Sequence, residues 1–145
     1  MSCRYGVFVI GVHTEIVRKT IHFGSLPLGI AITPTGDTAY VVDFYNRTDS
    51  EAAAVIDTAK KILTEKIQLG SGAPGNKPAI LPNGQYLYYP EYEIGAVILI
   101  STATNSVAGG FGCGPPMDIA ISPDGTHAYV TDFQDDIVTV VQISQ

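Results

Sequence analysis

Bulky and small positions alternate along short stretches of this chain, and the stretches recur. In "LGIAITP" Leu28, Ile30 and Ile32 fall on one side and Gly29, Ala31 and Thr33 on the other; "PMDIAISP" repeats this with Met117, Ile119 and Ile121. Period two with one bulky and one small face predicts strands packed closely on both sides. The turn signals "PTGD", "PNGQ" and "PDGT" follow and join each first strand to a second. The second strands are "AYVVDF", "YLYYPEY" and "AYVTDF", rich in β-branched and aromatic residues. Third strands are read in "AAAVID", "GAVILIS" and "IVTVVQIS". Fourth strands are read in "IVRKTIHFG" and its equivalents, each ending on a Gly. "EAAAVIDTAKKI" has a helical look, but its counterparts carry Gly95, Val97 and Thr139, so the repeat predicts a strand there too.

The repeat stands on two independent blocks. Pro34, Pro82 and Pro123 lie 48 and then 41 residues apart, each followed by Gly, Tyr, an acid and an aromatic at fixed offsets. "VIGVHTEIVRKTIHFG" (9–24), "VIDTAKKILTEKIQLG" (55–70) and "LISTATNSVAGGFGCG" (99–114) align at equal length. The expected organisation is one all-β module over residues 1–145. It has partial strands in 1–26, full repeats in 27–72 and 73–114, and a repeat in 115–145 without its last strand. The strand inventory is thus two, four, four and three.

Pro-(Asp/Asn)-Gly, then "AYVTD", a "VIDT"-like strand and a terminal Gly together resemble the YVTN β-propeller repeat family, surface-layer-like members included. The resemblance covers nearly the whole chain. It departs at the family's usual Asn, which is Asp43, Glu91 and Asp132 here. It implies a β-propeller of four-stranded antiparallel blades and an extracellular or periplasmic setting, and the wider superfamily includes lactonase-like hydrolases. Propellers close with typically four to eight blades, so about three repeats imply either homodimerisation into a six-bladed ring or further blades of a longer chain.

Composition narrows the partners. Fourteen acidic against eight basic residues give a formal charge of −6, which argues against nucleic acid, whose phosphates need clustered Lys and Arg. It favours cations or basic partners. No apolar run approaches the ~18 residues of a spanning helix, and "MSCRYGVFVIGV" does not read as a signal peptide. Cys3 and Cys113 form no CxxC and are read as free thiols. "NRT" at 46–48 fits a glycosylation acceptor.

In a propeller the turns from strand two to strand three share one edge. Here "DFYNRTDSE", "EYEIG" and "DFQDD" hold Asp43, Asp49, Glu51, Glu91, Glu93, Asp132, Asp135 and Asp136, with Arg47 as their one basic residue. Arg18, Lys19, Lys60 and Lys61 fall on the opposite edge, which predicts an electrically two-faced molecule. Asp43, Glu91 and Asp132 share one repeat position, and a ring of carboxylates there suits a hard cation such as Ca²⁺. The competing use is local: each acid accepts backbone N–H bonds in its own turn. Phe44, Tyr92 and Phe133 follow, either flooring a ligand pocket or packing between blades. Tyr40, Tyr88 and Tyr129 recur in every unit and are assigned to the core. "GSGAPGN" (70–76) matches no phosphate-binding pattern and reads as a loop. His13 and His127 map to the edge opposite the acids and His22 to an outer strand, so no His-based metal site or Ser-His-Asp triad is supported. The chain reads best as a binding or structural module. The alternatives are a lactonase-like hydrolase using a divalent cation at Asp43, Glu91 and Asp132, or a fragment of a larger propeller.

Overall fold

The structure is a computed structural model that describes residues 6–22, 26–44, 51–70 and 75–144, and of residues 43, 44, 51 and 52 the backbone alone. Among the described residues there is no helix, and thirteen strands form four antiparallel sheets. The first sheet pairs β1 (Gly6–Gly11) with β2 (Ile16–His22). The second runs in the order β3 (Leu26–Ile32), β4 (Thr38–Phe44), β5 (Glu51–Asp57), β6 (Ile62–Gly70). The third is β7 (Ala79–Ile80), β8 (Tyr86–Glu91), β9 (Ala96–Ser101), β10 (Ser106–Gly112), and the fourth β11 (Pro116–Ile121), β12 (His127–Asp132), β13 (Ile137–Gln142). Two, four, four and three strands is the inventory expected from the repeat. The helical-looking "EAAAVIDTAKKI" is β5 and the turn after it, as its counterparts required.

Strand pairing follows turn chemistry. Gly36, Gly84 and Gly125 sit at φ 77°, 77° and 73°, and each donates its N–H to the carbonyl three residues back at 2.8 Å. Only glycine adopts that left-handed backbone without cost. The turns from strand three to strand four instead place Glu15, Lys61 and Asn105 at φ 52°, 56° and 49°, one repeat position held in the same conformation by three side-chain types. Two of these turns are clipped to the Gly turns beside them, with Thr58 Oγ1 donating to Gly36 O and Thr102 Oγ1 to Gly84 O, both at 2.6 Å.

The sheets pack face to face in chain order, and alternation along each strand sends neighbouring side chains into different interfaces. Val41 joins Ile21, Ala39, Ala54 and Ile56 against the first sheet. Its neighbours Tyr40 and Val42 face the third sheet with Val55, Leu87, Tyr89 and Ile100. Tyr88, Val97, Ile119, Ala128 and Val130 close the third interface. β4 and β8 are therefore buried on both faces, which is why they read as near-continuous apolar runs. Each fully buried Leu, Ile or Val contributes roughly 1.5–3 kcal/mol.

The first strands come together on one side. β3 touches β7 and β7 touches β11, a parallel bridge links Lys77 to Asp118, and Asn76 N–H donates to Met117 O at 2.6 Å. This approach needs glycine. A Cβ on Gly29 would run into the Asn76 carbonyl oxygen, and one on Gly75 into that of Met117. On the small face of β3, Gly29 is thus the position that meets backbone, while Ala31 packs on core side chains.

One core assignment changes. Tyr40 and Tyr88 are 1% and 4% exposed, but Tyr129 is 45% exposed. It lies on the face of the last sheet that no described sheet covers, so the same residue in the same repeat position is left half in water.

Candidate functional site

Antiparallel connection puts alternate turns on opposite edges of the sheets. One edge carries the turns after β8 and β12, with Glu93, Asp135 and Asp136 exposed and Glu91 and Asp132 buried at the strand ends. No basic residue sits in those two turns, although Lys77 lies on the neighbouring connection. The opposite edge is mixed in sign. It holds Arg18, Lys60 and Lys61, and also Glu15, Asp37, Asp57 and Asp124. The expected polarity is therefore an acidic edge opposite a balanced one. Asp49 and Arg47 lie outside the described residues.

Asp132 ends β12, pairs with Pro116 across the ladder and is 5% exposed. Its Oδ1 accepts the N–H groups of Gln134 at 2.8 Å and Asp135 at 3.2 Å. That is the local turn-capping use expected of an acid here, and it orients the side chain between the third and fourth sheets. Oδ2 is buried with no hydrogen-bond partner among the described residues. It lies against Gly114, where a Cβ would meet it. Glu91 holds the same repeat position on β8 and is 3% exposed. Asp43 pairs through its backbone with Pro27, and its side chain lies outside the described residues. Among the described residues no three His, Cys, Asp or Glu groups cluster closely enough to share a metal ion.

The aromatics after these acids take different roles. Tyr92 is half-buried, and its hydroxyl accepts from Gln134 Nε2 at 2.8 Å, joining the third and fourth sheets. Phe133 is 72% exposed and is not packed between sheets, because no described sheet follows the fourth. Phe44 has no described side chain. Cys113 is a free thiol, and burial first, then the Asp132 carboxylate, pushes its pKa up. A raised pKa leaves less nucleophilic thiolate at neutral pH. Cys3 and the "NRT" triplet lie outside the described residues, as do four residues of "GSGAPGN".

Sequence reasoning missed a cleft of about 390 Å³ on the opposite edge, lined by Asp37, Thr38, Tyr40, Asp57, Thr102 and Asn105 among others. Tyr40 Oη donates to Asn105 Oδ1 at 2.8 Å, and Asn105 Nδ2 donates to Glu65 Oε2 at 2.8 Å. Thr33 and Thr35 lower the pKa of Asp37, and the backbone N–H and ammonium of Lys60 lower that of Asp57; Lys60 Nζ stands 3.0 Å from Asp57 Oδ2. Both carboxylates are satisfied within their own turns. Among the described residues no helix is long and apolar enough to cross a membrane.

No protein-family model matches the chain, and no curated protein sequence matches it. Among solved structures it is similar to a chain of the Kuenenia stuttgartiensis hydrazine synthase, with a TM-score of 0.82 at 21% identity over 95% of this chain. The match spans 40% of that protein's chain. At this identity the likeness shows the fold alone.

Proposed function

We propose that the protein is a YVTN-type β-propeller scaffold that offers its carboxylate-rich edge to a cationic or basic partner. The observation that carries this reading is the gathering of Glu91, Glu93, Asp132, Asp135 and Asp136 on one edge, two of them buried at matching strand ends. Sheets stacked in chain order, with first strands side by side, support the propeller arrangement. A surface of one sign steers an oppositely charged partner and loses that pull as salt screens it. Binding of an oligolysine peptide, followed by calorimetry at low and physiological salt, tests the reading. The Glu93→Gln, Asp135→Asn, Asp136→Asn triple variant is expected to bind roughly tenfold more weakly, a loss of about 1.4 kcal/mol. Equal binding by both proteins would remove the acidic edge as the ligand surface.

One observation favours a second reading, a lactonase-like hydrolase using Ca²⁺. Asp132 Oδ2 is buried with no partner among the described residues, and a carboxylate oxygen in that state suits a hard cation. Glu91 and Asp43 would supply the remaining carboxylates. Stoichiometric Ca²⁺ uptake lost in Asp132→Asn would support this; no uptake by the native chain would sink it.

A further inference from the structure

The cleft between the two four-stranded sheets, on the edge away from the acidic turns, has a volume of about 390 Å³ and adjoins a second hollow of about 270 Å³. Asp37, Thr38, Tyr40 and Thr102 line both, so the two form one groove with these residues at the junction. Val55 and Ala59 line one part, and Pro34 and Ala103 the other. Among the described residues no lysine, arginine or histidine lines either part.

The hydroxyl hydrogens of the groove are already committed. Tyr40 Oη donates to Asn105 Oδ1, Thr64 Oγ1 to Val55 O and Thr102 Oγ1 to Gly84 O. A hydroxyl that donates keeps its lone pairs, so these three groups offer a ligand acceptors. Asp37 adds charge. The side chains of Thr33, Thr35 and Thr38 donate to its carboxylate and hold it ionised without neutralising it, and among the described residues no lysine or arginine pairs with it. Asp57 pairs with Thr38 across the ladder, next to Asp37, but Lys60 Nζ already stands 3.0 Å from its Oδ2. Burial first, then the charges of Asp37 and Glu65, raise the pKa of Tyr40, so the floor of the groove lies in a negative potential. The repeat does not require these acids. The third sheet has Gln85 and Ser101 in the positions of Asp37 and Asp57, and its turns make the same backbone hydrogen bonds.

We infer that this groove binds a small aliphatic amine in its ammonium form. An ammonium carries three donors and no acceptor, the complement of a wall that offers lone pairs and an uncompensated negative charge. The ammonium sits on Asp37 and donates to the oxygens of Tyr40 and Thr102. Its methylenes lie along the apolar residues to one side, Val55 and Ala59 or Pro34 and Ala103, as the stem of a lysine lies along apolar surface. The pairing of Lys60 with Asp57 is the chain's own example of the contact. The site lies on the edge opposite the turns that carry the scaffold reading and is independent of it.

An amide NMR titration of the full chain with n-butylamine at low salt tests this. The native chain is expected to saturate at roughly millimolar amine, because a carboxylate open to water supplies only modest Coulomb energy. The shifts are expected to centre on Asp37, Thr102 and the side-chain amide of Asn105. Asp37→Asn keeps an oxygen that can accept from Thr33 and loses the charge, so it is expected to stay folded and to bind roughly tenfold more weakly. Thr35→Lys changes an exposed residue of the groove, sets a competing ammonium beside Asp37 and is expected to abolish binding. The Glu93→Gln, Asp135→Asn, Asp136→Asn triple variant is expected to bind the amine as the native chain does. A native chain without shifts at these residues, unchanged binding by Asp37→Asn, or equal binding of uncharged butanol or sorbitol overturns the inference. Amine binding kept in Asp37→Asn and lost in the triple variant would overturn the groove as the site and keep the scaffold reading.

Discussion

The Tyr40 hydroxyl donates to Asn105 Oδ1 at 2.8 Å and so fastens the second sheet to an outer turn of the third, 65 residues further along the chain. Tyr40 is 1% exposed, while Asn105 holds φ 49°, a backbone that Asn tolerates better than most residues. Asn105→Ala is expected to cost about 1–2 kcal/mol through the lost hydrogen bonds and the strained backbone, read by urea denaturation. Tyr40→Phe in that background is expected to add less than it costs alone, since the two share one bond.

The same tyrosine sets a pH dependence. Burial first, then the charges of Asp37 and Glu65, raise its pKa above the ordinary value of 10.0. The folded state therefore holds the proton more tightly than the unfolded chain. Its contribution to stability is complete below about pH 10 and is lost as the pH rises through the folded pKa. Melting temperature is expected to fall more steeply above about pH 10 in the native chain than in Tyr40→Phe.

Gly29 is expected to tolerate no side chain. Its Cβ would strike the Asn76 carbonyl and come within 2.7 Å of Pro78 Cδ, so Gly29→Ala should cost roughly 1–3 kcal/mol by overpacking. Gly36→Ala is the control: it also destabilises, but through its φ of 77°, with nothing within 4 Å of the added carbon. Solvent-exchange protection is expected to drop at β3 and β7 in the first variant and only at the turn in the second.

Glu15 offers the opposite change. It is exposed at φ 52°, so Glu15→Gly should relieve the left-handed strain for a net gain of roughly 0.5–1 kcal/mol after the entropy of glycine is counted. Denaturation midpoints check the sign.

Asp124 accepts Ser122 Oγ at 2.6 Å, Thr126 N–H at 3.0 Å and Thr126 Oγ1 at 2.7 Å. Those bonds, the Ser122 hydroxyl first, lower its pKa to about 2. Because the folded pKa lies below the unfolded one, its stabilising effect is present above about pH 4 and is lost as pH falls through about 2. A carbon-detected NMR titration should find Asp124 still ionised at about pH 3, and a midpoint near 4 would refute the turn geometry.

Proposed sites were less legible than strands. The pairing of Asp132 with its own turn follows from residue type and local chain, and it was anticipated. The Tyr40–Asn105 bond was not, because nothing in "ATNSV" marks which of its polar residues meets a tyrosine on another sheet. Thr58 and Thr102 share a repeat position after the third strand, a signal from which the turn clip could have been read but was not. Tyr129 departs from Tyr40 and Tyr88 because a repeat encodes what a side chain would pack against, and no described sheet lies beyond the fourth to cover it.

The sequence by itself determined the strand order, the turn types and the face each side chain takes, since period-two alternation and Pro-x-Gly turns act within a few residues. The tertiary structure alone decided which copies of a repeated residue are buried. Ile30 and Ile119 occupy one position in the pattern and are 45% and 3% exposed, because burial depends on the area a neighbouring sheet removes from water, and that neighbour is distant in sequence.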